Sequence, residues 1–212
     1  MVSYDKEITS YLESGINLDE ARLVQRAKEG DKVALSQLVN TYSERIYNLA
    51  LRILRNHEDA EDVLQETFLT VVEKLHTFDG RSGFFTWIYR IATNASLMRL
   101  RKKKVIFHKL NDETDFQESI ESRVFIDWSQ DPSLNIYDKE VKQKIDQAIN
   151  SLSDIYRSVF ILRDIEGLSI KETSEILNIT QENVKIRLRR ARQFLRDFLS
   201  EYFQERMHTK ND

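Results

Sequence analysis

Apolar residues recur at intervals of three and four through most of this chain, and the intervals predict a series of amphipathic helices. The first begins near Asp19 and ends at Gly30, and a longer one runs from Lys32 to Arg55. A third spans Glu58 to Leu75 and stops at "FDGRSG"; a fourth spans Phe84 to Lys104. Beyond a poorly periodic stretch, further helices are expected near 138–150, 153–165, 170–177 and 181–203. Only five glycines and one proline occur, too few for a turn-rich β-sandwich or barrel. The pattern predicts an all-α protein of two small helical domains, the second containing a helix-turn-helix.

That last element rests on local signals. In "LSIKETSEILNITQENVKIRLRRARQFLR", Ser169 followed three residues later by Glu172 forms a capping box, so a short helix starts at Ile170. Asn178 sits where the chain must turn and tolerates the left-handed conformation, and Thr180 can cap the next helix. At about 100° per residue, Val184, Leu188, Ala191 and Leu195 form its core stripe. Glu182, Lys185, Ile186, Arg189, Arg190 and Gln193 lie opposite, with Arg187 and Arg192 on the flanks. Such a helix places long cations at base edges and phosphates of the major groove, and Ile186, far from the core stripe, suits a thymine methyl. A basic solvated helix is the competing reading of the arginine row.

The same projection gives the earlier helices two characters. In "HEDAEDVLQETFLTVVEKLH", Ala60, Leu64, Phe68, Val71 and Leu75 should be buried. Asp59, Asp62, Glu66 and Glu73 should face outward around an exposed Leu69, a surface suited to a basic helical protein partner or merely solvated. Glu73 and His76 make a Glu-x-x-His spacing of the kind used in di-iron bundles, but no second pair accompanies it, so no metal site is expected. In "FFTWIYRIATNASLMRLRKKK", Phe84, Ile88, Ile91 and Ala95 share the core face, with Met98 at its edge leaning inward. Trp87, Arg90, Asn94 and Arg101 line a flank that can stack on unpaired bases and hold phosphates; alternatively Trp87 is core and the basic end is solvated.

Charge sharpens the division. The net charge of the 212 residues is only −3, so the whole chain does not advertise a polyanionic partner. Its distribution does: residues 99–104 carry five cations, residues 111–131 seven acids against one arginine, and residues 185–196 six cations. The domains follow as a tail at 1–18, a helical domain at 19–106, an acidic linker at 107–137, the helix-turn-helix domain at 138–205 and a tail at 206–212. The linker is either simple solvated chain or a segment that competes with DNA phosphates for Arg101, Lys102, Arg189 and Arg190. No apolar run approaches the roughly 20 residues a membrane helix needs. The N-terminus lacks the pattern of a secretory signal, and the absence of cysteine excludes disulfides and thiolate metal sites. A glycine-rich phosphate loop is missing as well, and no cofactor is expected. A cytoplasmic location fits these features.

Over about residues 20–105 and 138–203 the chain resembles the small, two-domain bacterial sigma factors of the extracytoplasmic-function (ECF) group. "RNHEDAEDVLQETFLTVVEKLHTFDG" looks like their polymerase-binding region, "FFTWIYRIATNASLMRLRKKK" like their promoter-melting and −10 region, and "LSIKETSEILNITQENVKIRLRRAR" like their −35 helix-turn-helix. The resemblance implies a non-enzymatic subunit that directs core RNA polymerase to promoters, with an anti-sigma factor as a further partner. It implies that Asp59, Asp62, Gln65 and Glu66, beside Leu69, dock on the polymerase clamp. Asn94, Arg99 and Arg101, together with Lys102, Trp87 and Arg90, would approach the −10 element, and the "FDGRSG" loop would pocket a flipped base. Lys185, Arg189 and Arg190 would read or clamp the −35 element, with Thr180, Glu182 and Ile186 on the same face. Many relatives carry an acid or amide four residues after the asparagine, where this chain has Met98. The alternative is an ordinary dimeric helix-turn-helix regulator, which leaves the acidic face and the second basic helix without a role.

Overall fold

The structure, a computed structural model, describes residues 18–110 and 139–209. The chain divides into two compact units, one within residues 1–114 and one within 115–212. The expected N-terminal tail up to residue 17, the acidic stretch 111–131 and Pro132 lie outside the described residues.

The first unit contains α1 (Leu18–Lys28), α2 (Lys32–Leu54), α3 (His57–Lys74) with a 3₁₀ turn at Leu75–Thr77, and α4 (Phe84–Leu110). Helix α2 is central and packs against α1, α3 and α4. Its inward row Ala34, Leu38, Tyr42, Ile46 and Ala50 is buried at four-residue spacing. Asp31 starts it: the carboxylate accepts from Val33 and Ala34 N–H at 2.9 and 3.1 Å and holds Arg26 through Nε and Nη2. It ends at Leu54 because Arg55 adopts the left-handed conformation (φ 57°), its N–H returning to Leu51 O. Asn56 then caps α3, accepting from Asp59 N–H at 2.9 Å.

Two faces differ from the sequence expectation, for one physical reason. Helix α3 buries Ala60, Val63, Thr67 and Val71, while Leu64 and Phe68 are only half-buried. Thr67 takes a core position because its hydroxyl donates to Val63 O at 2.7 Å. In α4, Ser96 is likewise buried with its hydroxyl on Ala92 O at 2.8 Å. The buried set there is Phe84, Thr86, Ile88, Tyr89, Ala92, Thr93 and Ser96 with Ala95. Ile91 is consequently half-buried, and Met98, expected to lean inward, is 53% exposed. Helix α4 also continues past the expected end at Lys104 to Leu110.

The second unit contains α5 (Lys139–Ser151), α6 (Asp154–Phe160) with a π-helical turn at Ile161–Ile165, α7 (Ile170–Leu177) and α8 (Gln181–Thr209). The single helix expected over 153–165 is thus an α-helix that widens into a π turn. Helix α8 packs against α5, α6 and α7. Val159, Val184 and Leu188 form a core that Phe160, Ile170, Leu177 and Ile179 flank. Arg157 is buried beneath α6, donating to Leu152 O at 3.0 Å and to Asp154 at 2.7 Å.

Candidate polymerase and promoter interfaces

Helices α3 and α4 pack along their length, and this brings the acidic start of α3 to the basic end of α4. Of the five residues expected to dock a partner, Asp62, Gln65, Glu66 and Leu69 are exposed. Asp59 is not: its side chain is 11% exposed and is engaged by Arg99 Nε at 3.1 Å and by Lys103. Arg99 Nη2 also donates to Asp62 at 2.6 Å. A carboxylate this enclosed, with two cations on it, serves the α3–α4 seam, which corrects the expectation that Asp59 is part of the open acidic face. Leu69 is 65% exposed, and Val72, one turn on, is 56% exposed. The sequence reading missed Val72; its three-residue spacing from Leu69 was the available signal. Glu73 and His76 are both exposed.

On α4, Asn94, Met98, Arg101 and Lys102 are all exposed, at spacings that put them on one strip. Arg90 is half-buried at the start of that strip. Trp87 is half-buried too, its ring tilted against Phe78 at 5.3 Å and Phe84 at 5.7 Å, so it is shared between core and surface. Arg99 leaves the strip and turns to α3. The preceding loop is built rather than slack. Phe78 is buried, its carbonyl accepts from Lys28 Nζ at 2.9 Å, and Gly80 has φ 73°. Asp79 accepts from Arg81 N–H at 3.2 Å and pairs with its guanidinium at 2.7 Å.

The helix-turn-helix forms as its local signals require. Ser169 Oγ accepts from Glu172 N–H at 3.1 Å, and Ser169 N–H donates to Glu172 Oε2 at 2.8 Å. Asn178 is left-handed (φ 51°), and Thr180 Oγ1 accepts from Asn183 N–H at 3.2 Å. Val184, Leu188, Ala191 and Leu195 are buried. Glu182, Lys185, Arg189 and Arg190 are exposed opposite them, with Ile186 at 41%. Lys185 lies 3.5 Å from Glu182. Arg192, on the flank of the core stripe, is held by Asp164 of the π turn, with Nε and Nη2 at 2.8 and 2.6 Å. That hydrogen-bonded carboxylate raises the Arg192 pKa further above its ordinary value.

A helix-turn-helix with an exposed cationic second helix, joined in one chain to a four-helix unit whose own last helix is basic, defines a DNA-binding protein of transcription. The Sigma-70 region 2 family model matches residues 38–105, and the Sigma-70 region 4 model matches residues 142–195. The chain is 38% identical over 175 residues to the ECF RNA polymerase sigma factor SigW of Bacillus subtilis, covering 82% of this chain and 92% of SigW. It is 32% identical over 180 residues to the ECF sigma factor SigE of Mycolicibacterium smegmatis, covering 83% of this chain and 66% of that protein. A co-crystal structure of the sigma factor RpoE with the anti-sigma factor NepR from Bartonella quintana has the same fold. There the TM-score is 0.62 at 24% identity, over 78% of this chain and 96% of that one. The chain belongs to the ECF RNA polymerase sigma factors. It is a transcription initiation factor whose partners are core RNA polymerase and promoter DNA.

Proposed function

We propose that the first unit docks on core polymerase through Asp62, Gln65, Glu66, Leu69 and Val72, and captures the melted −10 strand along Asn94, Met98, Arg101 and Lys102. The half-buried Trp87 and Arg90 border that strip, and the Asp79–Arg81 loop at its N-terminal end is suited to an unstacked base. The second unit holds the −35 duplex with Lys185, Ile186, Arg189 and Arg190, at the end of α8 that Thr180 caps and that carries Glu182 in its first turn. One observation carries this reading. In both units the buried stripe is opposed by an exposed strip that combines cations with one apolar side chain, Met98 on α4 and Ile186 on α8. Cations hold phosphates, and the apolar group meets a base face or a thymine methyl.

The action is capture rather than bond-making: the chain lowers the cost of an open promoter by binding it. Each base stacked on an aromatic contributes about 1–3 kcal/mol. Its place of work is the cytoplasm, with polymerase and chromosome; no helix among the described residues is long and apolar enough to cross a membrane. An anti-sigma factor is a further partner, by analogy with the similar RpoE, solved with NepR.

The test reconstitutes holoenzyme from core polymerase and this chain, and maps transcript 5′ ends on genomic DNA. Permanganate then reports melted thymines at the promoters found. Asn94→Ala with Arg101→Ala should abolish melting while the chain still associates with core. Melting at wild-type level would remove α4 from the −10 contact.

A further inference from the structure

Three arginines of α8 differ in what holds them. Arg189 has no hydrogen-bond or ion-pair partner among the described residues. Arg192 is fixed by the Asp164 carboxylate through two bonds. Arg190 is held by a neutral group: its Nη1 donates to the phenol oxygen of Tyr156, 3.3 Å away on α6. The difference has electrostatic content. A carboxylate fixes an arginine's direction and cancels its charge. A phenol fixes direction and leaves the charge whole, so Arg190 reaches the surface oriented and uncompensated.

The support under that phenol is firm. Tyr156 is half-buried, and Val159, three residues on in α6, is buried against Val184 and Leu188 of α8. The turn of α6 that carries the ring therefore keeps a set position relative to the helix whose arginine it holds. Arginine carries large rotamer freedom, and freedom already lost in the free protein is not lost again on binding.

We propose that Tyr156 is a positioning residue of the promoter interface, preorganising Arg190 for the −35 duplex without neutralising it. The inference rests on the reading of Arg190 as a −35 contact given above. It places part of that interface on α6, outside the helix-turn-helix.

Tyr156→Phe removes one hydroxyl and keeps the ring. The probe is the duplex promoter fragment that wild-type holoenzyme selects from a randomised pool, with affinity measured across a salt series. Tyr156→Phe should weaken binding about two- to fivefold at unchanged melting temperature. The slope of log affinity against log salt should stay as in wild type, since no charge is lost. Arg190→Ala should weaken binding and reduce that slope by about one. In the Arg190→Ala background, Tyr156→Phe should have no further effect. If Arg190→Ala weakens binding but Tyr156→Phe does not, or if the two losses simply add, the positioning role is overturned and the Arg190 contact stands. If Arg190→Ala leaves binding unchanged, the −35 reading of Arg190 fails and the role of Tyr156 fails with it.

Discussion

Arg99 of α4 donates to Asp62 of α3 at 2.6 Å, joining a residue of the basic helix to one of the acidic face. The same guanidinium reaches Asp59, and the two carboxylates differ sharply in surroundings: their side chains are 11% and 55% exposed. An exposed ion pair contributes about 0–1 kcal/mol because water and salt screen it. A largely enclosed carboxylate with two cations contributes more, and its removal leaves Arg99, itself only 31% exposed, with the exposed Asp62 as its remaining partner in the seam. Asp59→Ala should therefore cost about 1–3 kcal/mol of stability in the first unit, and Asp62→Ala no more than about 0.5 kcal/mol. Denaturant unfolding of the two variants checks the order; equal losses would mean the seam does not depend on Asp59.

Docking is tested on the exposed face of α3 beside that seam. Leu69 and Val72 are exposed, so truncating them removes little folded-state packing. Leu69→Ala with Val72→Ala should leave the melting temperature near wild type yet weaken core binding at least about tenfold, as for anchor residues at interfaces. Asp62→Lys with Glu66→Lys should abolish core binding by charge reversal with the fold retained. Core affinity at wild-type level in both double variants would leave α3 merely solvated.

The cap of α2 gives a pH signature. Asp31 has its pKa lowered below 3.8, first by the Ala34 N–H and then by the hydrogen bond from Arg26. A carboxylate whose folded pKa is depressed stabilises the fold above its unfolded pKa, and that contribution disappears as pH falls through the folded value. Asp31→Ala should thus lower the melting temperature at neutral pH. The gap to wild type should narrow only as pH drops below 3.8 and level off, below the folded pKa, at what an uncharged cap still contributes. Asp31→Asn, which can still accept from backbone N–H, should recover part of the loss. A gap that persists undiminished at low pH would place the cost elsewhere than in the ionised cap.

What was legible in the sequence was local. Ser169, Glu172 and Asn178 announce their turn through groups that bond within a few residues, and the helix-turn-helix formed accordingly. Helix faces were read less well, because hydrophobicity alone cannot see Thr67 and Ser96 satisfying their hydroxyls on carbonyls four residues back. That is why Met98, expected to lean inward, is exposed instead. Arg55 turns left-handed without the glycine or asparagine that usually marks such a position, and nothing in its sequence neighbourhood signals the π turn at 161–165. Partners distant in sequence were illegible altogether: Arg99 meets a carboxylate 37 residues away, and Arg192 one 28 residues away. Those two contacts changed the candidate site most.

The second of them alters what substitutions in α8 should do. By its flank position alone, Arg192 suited a phosphate, and Arg192→Ala would weaken all promoter sequences alike. Its bidentate pair with Asp164 instead ties α8 to the turn after α6. Arg192→Ala should mainly destabilise the second unit, by about 0.5–1.5 kcal/mol, with Asp164→Ala matching it and the double variant costing little more than either. Lys185 and Ile186 face away from the core and can be truncated without structural cost. Lys185→Ala or Ile186→Ala should change preference at particular −35 positions, by about 1–3 kcal/mol for a lost base contact. Thermal unfolding and selection from a randomised −35 pool separate the two effects. Uniform loss over all sequences for Ile186→Ala would remove it from base reading. A strong DNA defect in Arg192→Ala at unchanged stability would return Arg192 to the phosphate backbone.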